Sequence, residues 1–130
     1  MKTTELRILN YVYYRDKVRK IIAIFNEQRN SIELEGYKTR IDLLRYNPPT
    51  PIALTEQWLK DFGFEWNEVM DGWLIDDFFI NKSTEESVCI GFVDWGINLN
   101  YIKLHYVHSL QNLYFALAEK ELTITKPNKD

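Results

Sequence analysis

Three prolines within four positions, Pro48, Pro49 and Pro51, constrain this 130-residue chain more than any other feature. Proline brings no backbone donor to a sheet ladder and holds its predecessor extended, so regular structure must stop across Asn47-Pro48-Pro49-Thr50-Pro51. The chain divides there into a β-rich lobe over residues 1–46, a stiff connector over 47–54, and a second unit over 55–125, with 126–130 left as a polar tail.

In the leading lobe, residues 6–14 and 17–25 are rich in Ile, Val and Tyr, and Arg15-Asp16 sits where a tight turn would join them. Val18, Ile22 and Ile24 alternate with Arg19, Ala23 and Phe25, a two-residue period that favours a strand with one wetter face. Further apolar patches at 31–34 and 37–44 complete four short strands, enough for a small antiparallel sheet or a partly closed barrel of the SH3-like kind.

After the connector the local signals agree with one another. Thr55 caps a short helix running to about Phe62, Glu56 suits its dipole, and Leu54 and Leu59 have the spacing of a hydrophobic staple. Gly63 supplies a left-handed exit, with Phe64 folding back on Leu59. Strands are expected at 64–70, 73–80, 87–95 and 97–104, a meander turned by Asp71-Gly72, by 81–86 and by Gly96. A helix over 105–118 follows, with Val107, Leu110, Leu113, Tyr114 and Leu117 forming one apolar stripe, and residues 123–125 add a short strand. The fold class is therefore α+β: a β-rich lobe, a short capped helix, an antiparallel β-meander and a packed carboxy-terminal helix.

Charge is laid out unevenly over this frame. Residues 1–50 carry ten Lys/Arg and six Asp/Glu, residues 51–100 two and ten, and residues 101–130 four and three. The blocks are thus +4, −8 and +1, which implies two surfaces of opposite sign and points to binding rather than to a fold. The nineteen aromatic residues give a modest number of elements large rings to bury, and any left outside would suit an interface.

Leu6-Arg7-Ile8 with Asn10-Tyr11-Val12, the segment from Pro51-Ile52 through Leu54-Thr55-Glu56 and Trp58-Leu59 to Phe62-Gly63-Phe64, and the block from Tyr106-Val107-His108 through Leu110-Gln111-Asn112-Leu113-Tyr114-Phe115-Ala116-Leu117 carry a resemblance. In that order they are similar to a family of small proteins from prophages and mobile elements of gut anaerobes, and they span nearly the whole chain. The chain departs from that pattern at Leu9, where the family shows Gly, and at Ala118-Glu119-Lys120, where it shows Thr-Gly-Glu. The resemblance implies a setting, that of a phage or mobile-element accessory protein, and no mechanism.

Chemical motifs are sparse. His105 and His108, three apart, can share a helical face and ligate zinc or iron, but no third ligand follows at metal-site spacing. A capping or surface role is expected for His105 and a surface role for His108, with no metal or cofactor. Asp71, Asp76, Asp77 and Asp94 tempt comparison with carboxylate catalysts. Neighbouring strand residues face opposite ways, however, so Asp76 and Asp77 would not share a cleft if 73–80 were one strand. Ser83, Ser87 and Ser109 lack the glycine context of a nucleophile elbow, and there is no glycine-rich phosphate loop. The single cysteine, Cys89, allows no internal disulfide and fits a reducing compartment. The longest purely apolar run, 21–25, is too short to cross a bilayer, and no signal-peptide pattern is present, so the expected location is the cytoplasm without membrane attachment.

The expected function is non-catalytic: an accessory factor that binds another protein, engaging a basic surface through the acidic hairpins at Asp71, Asp76, Asp77, Glu85 and Glu86. A second docking candidate is the helix flank of His108, Gln111 and Phe115, where Phe115 is either covered by the leading lobe or offered to the partner. One alternative is nucleic-acid binding by the basic, tyrosine-interleaved cluster of Arg15, Lys17, Arg19, Lys20 and Tyr13. Another is a small hydrolytic enzyme whose pocket is assembled from distant strands.

Overall fold

The structure, a computed structural model, describes residues 5–26, 30–37, 39–43, 48–69, 71–82, 88–92, 97–102 and 104–125. The architecture is α+β. A four-stranded antiparallel sheet, β1 (Tyr11–Tyr14), β2 (Lys17–Asn26), β3 (Asn30–Leu34) and β4 (Ile41–Asp42), is ordered as in the sequence. It is followed by α1 (Glu56–Asp61), a five-stranded meander of β5 (Glu65–Asn67), β6 (Gly72–Ile75), β7 (Phe78–Lys82), β8 (Val88–Phe92) and β9 (Ile97–Ile102), and α2 (Val107–Ala118). No described helix is long and apolar enough to cross a membrane. Glu85, Glu86 and the polar tail lie outside the described residues.

The β1–β2 hairpin turns on Arg15 and Asp16, with φ of 52° and 61°. Two successive positive φ values match the strand twist of a two-residue loop. Strand β1 begins later than the sequence suggests because residues 7–10 make a turn of their own. The Asn10 N–H donates to the Arg7 carbonyl at 3.0 Å, and Leu9 takes φ 80°. In β2 a bulge between Ile21 and Ala23 interrupts the alternation, so Ile21 and Ile24, three residues apart, pack on the same core. The connector is not a free spacer. Thr50 and Tyr13 exchange backbone hydrogen bonds of 2.9 Å, which places Thr50 against the outer edge of β1.

Helix α1 follows its local signals residue by residue. The Thr55 side chain accepts from the Trp58 N–H, Gly63 adopts φ 101°, and the N–H groups of Gly63 and Phe64 donate to the carbonyls of Lys60 and Leu59. This is the paired closure of a Schellman ending. Helix α2 starts two residues later than its apolar stripe implies. The His105 carbonyl and the Val107 N–H are already engaged with Leu54 and Ile52, at 2.9 and 2.8 Å.

Two corrections concern the expected strands. The single strand expected over 73–80 is two strands, because Asp76 takes φ 50° and, with Asp77, turns the chain between β6 and β7. Residues 123–125 do not form a strand, yet they are pinned, with the Thr125 N–H donating to the Asp61 carbonyl at 2.7 Å. Gly72 is fixed by close packing of backbones, since a Cβ there would stand 2.5 Å from the Ile80 carbonyl oxygen.

Two apolar cores result, and β1 forms a wall between them. Val12 and Tyr14 point into a core with Ile21, Ile32, Leu34 and Ile41. Tyr11, on the opposite face of the same strand, joins Phe62, Phe64, Phe78, Val107, Leu110 and Tyr114.

Candidate functional site

Three places collect the residues that the sequence marks as functional. The first is the flank of α2. Gln111 is fully buried, and its side-chain amide behaves as a strand residue would: Oε1 accepts from the Tyr11 N–H at 2.9 Å, and Nε2 donates to the Leu9 carbonyl at 3.0 Å. Asn112 extends this seam, its Oδ1 accepting from Asn10 Nδ2 at 2.8 Å and from Arg7 Nε at 3.2 Å. The Arg7 guanidinium pairs with both Glu121 oxygens and lies over the Phe115 ring, 4.3 Å from its centre.

This overturns two candidates on that flank. Gln111 is spent on β1, and His108, expected at the surface, is buried and stacked on Tyr106 with ring centres 5.6 Å apart. Burial lowers the His108 pKa from the ordinary histidine value, against a smaller upward pull from Glu5, so the ring is held neutral. Phe115 is capped on one side by Arg7 and remains 41% exposed. His105 is exposed, and among the described residues no three His, Cys, Asp or Glu side chains gather as metal ligands would.

The second place is the basic hairpin, which the fold splits. Side chains of paired residues share a face, so Tyr13 with Val18 and Tyr11 with Lys20 lie on one side of the β1–β2 ribbon, and Val12 with Arg19 and Tyr14 with Lys17 on the other. Arg19 is stacked on Tyr37 at 4.7 Å, and Arg15, in the turn, on Tyr14 at 5.4 Å. Arg19 and Lys20 both border a cleft of about 330 Å³ shared with Tyr11, Trp58, Glu35 and Asp61, in which both signs of charge are present, whereas Tyr13, Arg15 and Lys17 do not line it. The five basic-cluster residues therefore do not converge on one platform.

The third place is the acidic side of the meander. Because Asp76 and Asp77 are the β6–β7 turn, they are set together at one end of β6, while Asp71 stands at the other beside Glu68 and the 96% exposed Val69. The turn borders two recesses. One, of about 180 Å³, lies against the end of α2 with Asp77, Tyr114, Leu117 and Lys120. Burial, then the Asp76 and Asp77 charges, then a hydrogen bond to Asp76 raise the Tyr114 pKa, keeping its hydroxyl a donor. Lys120 Nζ stands 3.9 Å from Asp76, both side chains largely exposed.

The other recess, of about 280 Å³, lies beside β5 and is lined by Glu65, Trp66, Leu74, Ile75 and Asp76. Trp66 is 51% exposed and meets Trp73 edge to face, with ring centres 5.5 Å apart. Neither Glu65 nor Trp66 stands among the sequence candidates. Their signal is an acid next to a large ring, two residues before the Glu68–Asp71 turn. No family model, curated protein or solved structure matches the chain.

Proposed function

We propose that the protein is a non-catalytic binding module, an accessory factor of a phage or mobile element, that engages a basic protein surface through the acidic turns of its meander. The observation that carries this reading is the sign of the charge there. Both ionisable side chains lining the β5 recess are carboxylates, and so are those described in the turns at the two ends of β6. Complementary potentials of this kind steer encounter and select partners more than they add affinity. Supporting it, the basic cluster of the leading lobe is divided between two faces and partly stacked on the protein's own rings, which weighs against a nucleic-acid platform.

The test is a pull-down from the source cell with mass spectrometry, comparing the wild-type protein with the variant Asp71→Asn, Asp76→Asn, Asp77→Asn. A basic protein retained by the wild type, lost by the variant and released by raised salt supports the reading. Identical partners on both proteins would overturn it.

A further inference from the structure

We infer that His108 is an acid-released latch: taking up a proton undocks the first turn of α2 from the leading segment and frees the edge of β1. This device is independent of the binding function proposed above. His108 is the second residue of α2 and only 3% exposed, and its Nδ1 is buried with no hydrogen-bond partner among the described residues. A neutral imidazole tolerates that position, because it can keep its proton on Nε2 and leave Nδ1 bare. An imidazolium carries a hydrogen on both nitrogens, so protonation sets a charged donor at Nδ1 where no described acceptor stands and solvent does not reach. The bonds at stake lie one turn further along. Gln111 holds the Tyr11 N–H and the Leu9 carbonyl, and Asn112 holds Asn10 and the Glu5 carbonyl, so a first turn that moves to hydrate its ring pulls on all four.

The surroundings oppose the charge more than they favour it. The first turn of α2 is the positive end of the helix dipole, and it has neither an acidic side chain nor a side-chain cap. On the leading segment, Glu5 favours protonation, whereas Arg7, bonded to Asn112 and paired with Glu121, adds a like charge. The connector over 48–54, joined to the helix start by the bond between Val107 and Ile52, carries no ionisable residue. His105 is exposed, and the amino-terminal charge opposes protonation further. The Tyr106 ring, parallel to the imidazole within 7° at 5.6 Å, would attract a cation but replaces none of the water lost on burial. Burial accordingly outweighs Glu5 and lowers the His108 pKa from 6.5. The unfolded chain then takes the proton first. Stability contributed by the neutral ring is present above pH ~6.5 and is lost as the pH falls below it, until the folded ring itself is protonated.

The experiment uses the full chain and two readouts. In the variant His105→Asn the remaining imidazole is that of His108, and an NMR titration of its ring should give a midpoint below 6.5. Native-state hydrogen exchange, corrected for the intrinsic effect of pH and run at several low urea concentrations, then follows the Tyr11 amide in the wild type and in His108→Phe. Tyr11 should exchange through an opening that depends less on urea than the openings of the β7 amides do. From pH 6.5 to 5.5 that opening should become several-fold more populated in the wild type and unchanged in His108→Phe, one proton setting a ceiling of about tenfold per pH unit. A His108 midpoint at or above 6.5 overturns the latch, and this readout holds even if His108→Phe fails to fold. Equal pH dependence in the wild type and His108→Phe overturns it as well. A Tyr11 amide with the full urea dependence of β7 would make the opening global, and the latch on α2 would fall.

Discussion

Helix α2 meets the leading sheet through amide and guanidinium hydrogen bonds and the second sheet through rings and branched aliphatic side chains. On the second side, Val107, Leu110 and Tyr114 pack with Phe62, Phe64 and Phe78, Tyr114 standing edge to face on Phe78 at 5.1 Å. Such contacts are non-directional and stabilise in proportion to the area they bury. On the first side, Gln111 reads one N–H and one C=O of the chain at Tyr11 and Leu9, and a slip by one residue would break both bonds. The apolar side thus supplies most of the stability, while the polar side fixes where β1 lies along the helix.

Phe78→Ala should break the apolar side most severely, at about 3–5 kcal/mol, because a fully buried ring leaves a cavity at the meeting of α1, β7 and α2. Thermal or denaturant unfolding would read it, and a loss under 1 kcal/mol would show that the second core does not carry the fold. Gln111→Ala should cost less, about 1–3 kcal/mol, by leaving the buried Tyr11 N–H and the part-buried Leu9 carbonyl without their partner. Its distinguishing mark is hydrogen exchange: the Tyr11 amide should lose protection while the amides of β7 keep theirs, and equal loosening of both would erase the contrast. Leu9→Gly should act in the opposite direction and least, raising stability by about 0.5 kcal/mol. It relieves a left-handed conformation costing ~1–2 kcal/mol and gives back ~0.5–1 kcal/mol in backbone entropy. A destabilised Leu9→Gly would mean that the half-exposed leucine side chain outweighs its own backbone strain.

The contrast between the two sides also governs what the sequence reveals. Helix α1 is legible because its cap and exit glycine lie within ten residues of one another and act locally. The α2 stripe and the α+β class follow from periodicity for the same reason. The turn at Asp76-Asp77 escapes because neither residue is a glycine and the flanking Trp73–Ile80 pattern reads as one apolar run. The role of Gln111 escapes because its partner stands a hundred positions away and nothing nearby distinguishes it from a surface amide. That Glu65 and Trp66 border one recess with Asp76 shows only once the β5–β6 pairing sets the strand beside the Asp76 turn.

The outer edge of β1 is covered by two pieces of chain made at different times, Thr50 at Tyr13 and Gln111 at Tyr11 and Leu9. During synthesis the first cover emerges soon after the strand, but the second follows only about a hundred residues later. For most of that interval the nascent leading sheet carries a bare N–H and C=O along this edge, and a chain truncated ahead of α2 keeps them bare. Termination ahead of α2 therefore yields a polypeptide with an adhesive strand, and α2 serves as the shield that makes β1 safe.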